Sequence, residues 1–313
     1  MNNKMSEEIS KSVSKALASN EAFVPVEDGY RVWTKTVGGG DGVQRPTVLV
    51  LHGGPGMAHD YLEGLAALAS PSQRIVFYDQ LGCGRSDCPD EPSRWVFPRF
   101  VKEVDLVRQA LGLQEVVILG QSWGGMLAIE YMLTQPAGVA GVILSNSLAS
   151  APLMEEELLR LKRGLPPPTL AILEACEKSG ATDSAEYKQA SLAFFSRHLL
   201  RMDPLPAEIV EALESTNQVY EVMWGKNEFN VSGNLKSWDR STDLSRIDLP
   251  VKIISGEFDE STPRQNEVLH QGLKNSTWTL MPGCSHLPNF ENPTEYLAII
   301  QEFLDELVST SAS

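Results

Sequence analysis

The amino-acid sequence predicts an α/β fold in which helices cover both faces of a mostly parallel sheet. Short apolar runs recur along the chain, and segments with helical periodicity separate them. Strands of a parallel sheet are buried on both faces and joined by helical crossovers, so this alternation is typical of that architecture. A third observation is a glycine-rich turn at residues 120–124, placed between one apolar run and one helical segment.

Seven strands and five helices are expected in the sheet domain. The first strand alternates in polarity and is expected near the sheet edge, whereas the others are continuous apolar runs. The predicted strands are residues 30–37, 47–51, 74–78, 116–119, 139–144, 251–255 and 277–280. The predicted helices are residues 62–68, 98–111, 126–133, 263–273 and 294–307.

The alternation stops between residues 147 and 244, which we interpret as a helical cap inserted into the core. The core is then residues 21–146 and 245–313, and residues 1–20 form an N-terminal tail. The predicted helices of the cap are residues 154–165, 170–178, 184–200 and 206–220. A few of the large apolar side chains of the cap are expected to line a pocket over the core, from the set Phe194, Phe195, Tyr220, Met223 and Trp224.

Composition restricts the partners of the chain. Among 313 residues, 41 are acidic and 26 basic, and the net charge of −15 argues against nucleic acid and anionic membranes. No apolar run reaches the roughly 18 residues of a membrane span, and the N-terminal residues lack the apolar core of a secretory signal. We therefore expect a cytoplasmic protein with reduced cysteines. Cys83 and Cys88 have no further Cys or His nearby in sequence, so we expect no metal and no cofactor.

The turn Gly120-Gln121-Ser122-Trp123-Gly124 predicts a nucleophilic serine. A G-x-S-x-G turn between strand and helix exposes the serine at its tip, and the glycines permit the sharp bend. The N–H of the next residue, Trp123, then points at an oxyanion that forms on the substrate. This arrangement predicts acyl transfer through a serine ester on an α/β-hydrolase fold.

A serine nucleophile needs a base and an acid, which follow it along the chain in the order acid, histidine. Three acids, Glu257, Asp259 and Glu260, follow the strand at 251–255, and the distance from the strand end favours Asp259. His286 follows the last strand and is the favoured base. The alternative acid position, residues 145–147, holds no carboxylate. The other histidines of the chain are His52, His59, His198 and His270.

Residues 52–56 are expected to supply the second oxyanion donor. They follow the buried strand 47–51 and contain three glycines, which allow close approach of the backbone. We prefer the N–H of Gly54 over that of Gly53, and we expect His52 to have a structural role. The glycine-rich residues 78–87 lack the spacing of a phosphate-binding loop, so we expect them to support the site by packing.

Three motifs together resemble the proline iminopeptidase family of serine aminopeptidases. They are H-G-G-P-G at residues 52–56, D-Q-L-G-C-G-R-S-D at 79–87 and G-Q-S-W-G-G at 120–125, and the resemblance extends from about residue 25 to 309. It implies a hydrolase that releases one N-terminal amino acid from a small peptide or an amino-acid amide through an acyl-enzyme.

Two further segments are similar to the tricorn-associated aminopeptidase and amino-acid amidase branch of that family. They are G-K-N-E-F at residues 225–229 and G-E-F-D-E at residues 256–260. The resemblance implies that Glu228 and Glu260 bind the free α-ammonium of the substrate. The alternatives are an esterase, lactonase or natural-product hydrolase on the same core, and a small-molecule receptor without turnover.

Overall fold

The computed structural model describes residues 17–40, 45–206, 209–210 and 217–311. Its centre is one eight-stranded sheet with the strand order β1-β2-β4-β3-β5-β6-β7-β8. Strand β2 is antiparallel to β1 and to β4, and the remaining neighbours are parallel. The strands are β1 Ser19–Pro25, β2 Arg31–Gly38, β3 Thr47–Leu51, β4 Arg74–Tyr78, β5 Val116–Gln121, β6 Val139–Ser145, β7 Val251–Gly256 and β8 Ser276–Met281.

Helices surround the sheet and cover one end of it. In the described ranges, the α-helices are Phe97–Ala110, Trp123–Leu133, Ala151–Arg163, Pro167–Ser179, Ala185–His198, Gln218–Met223, Pro263–Gly272, Pro288–Glu291 and Pro293–Ser311. The 3₁₀ helices are Glu27–Gly29, Asp60–Leu68, Pro92–Arg94 and Leu244–Arg246. Within the same ranges, no helix combines the length and the apolar character needed to cross a lipid bilayer.

The alternation of side chains along the strands divides the core into two layers. On β3, Leu49 and Leu51 point into one layer, and Val48 and Val50 point into the other. The first layer also contains apolar residues of the helices between residues 151 and 223, so this helical region packs continuously with one layer of the core. The second layer is closed by the helices Asp60–Leu68 and Pro293–Ser311.

The predicted α/β fold with a mostly parallel sheet is confirmed, and all seven predicted strands are present with ends shifted by at most two residues. One strand was missed. Strand β1 begins at Ser19, within the predicted tail, and only Val24 in it is buried. An edge strand with one buried side chain has no apolar pattern, and its backbone pairing with β2 makes it a strand. Residues 1–16 of the predicted tail lie outside the described residues.

The predicted helices in the inserted region differ mainly at their ends. The first three correspond to Ala151–Arg163, Pro167–Ser179 and Ala185–His198. The fourth, at 206–220, falls partly on residues 207–208 and 211–216, which are outside the described residues, and the helix Gln218–Met223 overlaps its end. Between residues 147 and 244, the described positions contain one isolated β-bridge, Ser150 to Asp239, and no strand.

Candidate active site

Ser122 lies at the sharp turn between β5 and the helix Trp123–Leu133. Its backbone has φ 55° and ψ −122°, a conformation that costs free energy for a residue with a side chain. The flanking glycines are needed because a Cβ at Gly120 would collide with the backbone of Gly124, and one at Gly124 with the Leu51 carbonyl. The turn is therefore the strained strand-to-helix bend that the G-x-S-x-G pattern predicts.

Two backbone N–H groups beside Ser122 are available for an oxyanion. Neither the N–H of Trp123 nor that of Gly54 donates to any group within the described part of the chain, and both residues border the same cavity as Ser122. The N–H of Gly53 is engaged, because it donates to the Tyr61 hydroxyl at 2.7 Å. This difference favours Gly54 over Gly53, the choice made from the sequence.

His286 and Asp259 form a buried hydrogen-bonded pair. The Nδ1 atom of His286 lies 2.7 Å from Oδ1 of Asp259, and the two residues follow the carboxyl ends of β8 and β7. Asp259 accepts two further hydrogen bonds, from the Ser261 N–H at 2.8 Å and from the Asn146 side-chain amide at 2.6 Å. These bonds fix the carboxylate, which in turn orients the imidazole ring.

Asn146 occupies the position that the sequence analysis considered for an alternative acid. Its φ of 51° turns it at the end of β6, and its Nδ2 donates to both Asp259 and the Ser285 carbonyl. The sequence showed only that this position lacks a carboxylate. The structure adds that the side-chain amide of Asn146 donates a hydrogen bond to the carboxylate of Asp259, which follows the neighbouring strand β7.

His286 is surrounded by acidic groups. Its Nε2 atom lies 3.7 Å from Oε1 of Glu260. Burial lowers the pKa of His286, but the charges of Asp259 and Glu260, together with the hydrogen bond to Asp259, outweigh it and raise the pKa to about 9. These acidic neighbours favour the imidazolium form of the ring.

Glu260 and Glu228 border the same cavity as Ser122 and His286. Oε2 of Glu260 is buried and accepts no hydrogen bond from any described residue, whereas Oε2 of Glu228 accepts one from the Tyr220 hydroxyl at 2.6 Å. Burial raises the pKa of both carboxyl groups, and the charge of Glu228 adds to the rise at Glu260. Among the described residues, neither carboxylate forms an ion pair with Lys or Arg, so both remain able to accept hydrogen bonds from a cation.

The cavity that these groups share has a volume of about 1250 Å³ and lies between the sheet and the inserted helices. Three of the five apolar side chains considered from the sequence border it, namely Phe195, Tyr220 and Trp224. The other two, Phe194 and Met223, are fully buried in the core. Residues 182–229 contribute both apolar and charged side chains to the wall, and Glu221, Lys226 and Glu228 are among the charged ones.

The glycine-rich residues 78–87 support the site. The side chain of Gln80 accepts a hydrogen bond from the Trp123 indole at 2.9 Å, and its backbone N–H donates to Nε2 of His52 at 3.0 Å. His52 is fully buried and has the structural role expected of it. Tyr61 also supports the site, because its hydroxyl donates to Oε1 of Gln121 at 2.5 Å, and no pattern in the sequence indicates this role for an isolated tyrosine.

One group of side chains within the described residues has the composition of a metal site, namely His59, Asp60 and Glu63. The negative charges of this group are already balanced by positively charged side chains of the protein. Nζ of Lys35 lies 2.6 Å from Oε1 of Glu63, and the carboxylates around His59, against the cost of burial, raise the pKa of its ring to about 9. An imidazolium and an ammonium therefore serve as the cations at this group.

Comparison with known proteins identifies the family of the chain. The sequence model of the α/β hydrolase fold matches residues 46–293. A proline iminopeptidase of Heyndrickxia coagulans is 40% identical over 290 residues, 92% of this chain and 99% of that protein. The crystal structure of proline iminopeptidase from Mycobacterium smegmatis superposes with a TM-score of 0.84 at 34% identity, covering 93% of this chain and all of that one.

A second solved structure, that of VinJ, superposes with a TM-score of 0.87 at 32% identity and covers 92% of this chain and 99% of that one. Identity at this level over nearly whole chains exceeds what a shared fold alone would give. The chain described here belongs to the proline iminopeptidase family of α/β hydrolases.

Proposed function

We propose that the protein is a serine aminopeptidase that removes the N-terminal residue from small peptides or amino-acid amides. The observation that carries the proposal is one cavity that contains both Ser122, with the His286–Asp259 pair, and the two carboxylates Glu228 and Glu260. The first group supplies acyl-transfer chemistry, and the second restricts it to substrates with a free α-ammonium.

The chemical steps follow from the positions of these groups. His286, oriented by Asp259, removes the proton of Ser122 as its oxygen attacks the substrate carbonyl. The N–H groups of Gly54 and Trp123 stabilise the resulting oxyanion, at roughly 3–4 kcal/mol for each donor. His286 then protonates the leaving amine, and a water molecule activated by the same imidazole hydrolyses the ester.

The two glutamates select the substrate by charge. Each charge-assisted hydrogen bond from an ammonium to a carboxylate contributes on the order of 1.5–3 kcal/mol. An acyl group held by its amine can present only the carbonyl of the first residue to Ser122. In this proposal residues 147–244 are a cap that supplies Glu228, and the core supplies Glu260.

The apolar wall beside the carboxylates suits an apolar first residue. Phe195 and Trp224 border the cavity, together with Met154 and Leu148. The ammonium of an N-terminal proline has two N–H donors, which matches two carboxylate acceptors. We expect a panel of aminoacyl anilides to show turnover for proline and for other apolar residues, and little turnover for acidic residues, which two buried carboxylates repel.

The amine anchor is tested with Glu228→Gln and Glu260→Gln. Each substitution removes one charge from the site, and we expect KM for an aminoacyl anilide to rise about 10- to 100-fold. Labelling of Ser122 by a neutral fluorophosphonate should persist in both variants. Glu257→Gln is the matched control, because Glu257 lies on the same turn as Glu260 but is exposed to solvent.

Two results would favour the other functions. Turnover of an N-acetylated anilide at the rate of the free amine would indicate an esterase or lactonase in which the glutamates are idle. A protein whose Ser122 is not labelled by fluorophosphonate, although it binds amines, would be a receptor.

A further inference from the structure

The contact between His286 and Glu260 poses a chemical problem for the proposed mechanism. Nδ1 of His286 is bound to Asp259, so Nε2 is the atom that must accept the proton of Ser122. That atom lies 3.7 Å from Oε1 of Glu260. A carboxylate oxygen only accepts protons in hydrogen bonds, so it attracts Nε2 when the ring is protonated and repels its lone pair when the ring is neutral.

No other cation competes for Glu260 among the residues that the structure describes. Its carboxylate makes no ion pair with Lys or Arg there, and its Oε2 atom is buried with no hydrogen-bond partner. The charged groups around it, Glu228 and Asp259, are both acidic. Within the described residues, His286 is the basic side chain that forms an ion pair with Glu260, whereas Lys188 and Lys226 border the same cavity without such a pair.

The backbone keeps the two side chains together. The N–H groups of Glu260 and His286 both donate to the carbonyl of His198, at 3.1 Å and 3.2 Å. One carbonyl at the end of the helix Ala185–His198 thus ties the loop after β7 to the loop after β8. The main chains of Glu260 and His286 are therefore anchored at the same carbonyl, and both side chains are buried.

We propose that Glu260 holds His286 as an imidazolium in the free enzyme, and that the substrate ammonium releases it by taking over the Glu260 carboxylate. This inference rests on the proposed function, because it requires the ammonium to bind at Glu228 and Glu260. In this proposal Glu260 is an anchor for the substrate ammonium and also a switch, meaning that it controls the protonation state of His286, the base.

The proton balance of the step is simple. An imidazolium enzyme and an ammonium substrate combine to give a neutral His286, a bound ammonium and one proton released to solvent. The acidic groups that face His286 are Asp259, Glu260 and Glu228, and they raise the pKa of the free enzyme's ring to about 9. A bound ammonium offsets one of the two carboxylate charges of Glu260 and Glu228, so the pKa of the ring falls and Nε2 can accept the proton of Ser122.

The switch makes selectivity for a free amine appear in kcat as well as in KM. A substrate with a blocked amine leaves the Glu260 charge uncompensated, and His286 then stays protonated in the complex. Such a substrate is turned over slowly even at saturation. Simple affinity for the ammonium would instead change KM alone.

Proton release can be measured directly by calorimetry. Ser122→Ala binds an amino-acid amide such as prolinamide without turning it over, and titration at pH 7 in buffers of different ionisation enthalpy counts the protons released. We expect a release of about one proton per site. Binding without proton release would overturn this inference alone, whereas no detectable binding would overturn the proposed amine anchor.

A second measurement uses a neutral reagent that needs no amine site. We expect Glu260→Gln to be labelled by a fluorophosphonate faster than the wild type at pH 7, by about tenfold for each unit by which the pKa of His286 falls. Glu257→Gln should label at the wild-type rate. A Glu260→Gln protein that is folded and labels no faster than the wild type would contradict the switch.

Discussion

Two buried histidines in different regions of the molecule make the same hydrogen bond. Nδ1 of His286 lies 2.7 Å from Oδ1 of Asp259, and Nδ1 of His59 lies 2.7 Å from Oδ1 of Asp79. The hydrogen bonds to neighbouring carboxylates and the charges of those carboxylates, against the cost of burial, raise the pKa of each ring to about 9. In geometry and protonation the two pairs are nearly alike.

The difference lies at the second nitrogen of each ring. Nε2 of His59 faces Glu63 at 3.5 Å, and that carboxylate is already paired with Lys35. The ring is also packed against Trp33, with 4.4 Å between the ring centres. In the described part of the chain, the partners of this ring are carboxylates and aromatic rings, so we assign its pair with Asp79 a structural role.

Nε2 of His286 faces Glu260 in the cavity that Ser122 borders, and no Lys or Arg of the described residues pairs with that carboxylate. A buried His–Asp pair is therefore not by itself the mark of a catalytic base. The groups that face the second ring nitrogen, Nε2, decide whether a His–Asp pair can take part in catalysis.

The comparison is tested most strongly by replacing each histidine. We expect His286→Asn to lower kcat for an aminoacyl anilide by about 10⁴-fold or more, because no base remains for Ser122. His59→Asn should change kcat by only a few-fold but reduce the free energy of unfolding by roughly 3–5 kcal/mol, because it leaves Asp79 buried without its partner. Steady-state kinetics and denaturant unfolding of both variants measure these effects. Equal losses of kcat in the two variants would show that the two His–Asp pairs do not differ in their contribution to catalysis.

The aspartates provide the next test. Asp259→Asn should lower kcat by about 10³- to 10⁴-fold, because an amide favours the wrong tautomer of His286. It should also lower the pKa of the ring, since the charge of Asp259 contributes to the rise. Asp79→Asn should leave kcat within a few-fold of the wild type and lower the melting temperature. If Asp79→Asn proves the more damaging to kcat, the assignment of the two pairs is reversed.

The smallest expected effect is the pH dependence of stability from His59. Its pKa rises from 6.5 in the unfolded chain to about 9 in the folded protein, so its contribution is complete below pH 6.5 and is lost as the pH rises through 9. The difference in unfolding free energy between the wild type and His59→Gln should shrink by about 3 kcal/mol over this window. A pH-independent difference would mean that His59 is not charged in the folded protein.

Local patterns in the sequence were sufficient to predict the strands around Ser122. They were also sufficient to predict the order in which the serine, the acid and the histidine occur along the chain. Strand β5 was predicted because its residues are apolar and β-branched, and the glycines around Ser122 indicated the turn. The choice of Asp259 over Glu257 and Glu260 came from its distance beyond β7. The roles proposed for Glu228 and Glu260 came from the family resemblance, because single acids among 41 carry no signal of their own.

Other features had no local signal. Strand β1 is defined by hydrogen bonds to β2 along an exposed edge. The contacts of Asn146 with Asp259, and of Tyr61 with Gln121, join residues 113 and 60 positions apart in sequence. The pair of His59 and Asp79 was not anticipated, because the sequence shows a histidine and an aspartate in separate segments without their distance.

The sequence by itself determined the α/β fold, the strained turn at Ser122 and the chain order of serine, acid and histidine. These depend on short-range periodicity and on the backbone freedom of glycine, which neighbouring residues largely decide. Only the tertiary structure showed that a second buried histidine, His59, also pairs with an aspartate, and that the Glu260 carboxylate beside His286 has no other partner in the described residues. Burial and charge depend on groups distant in sequence, so they exist only once the sheet and the helices above it are packed together.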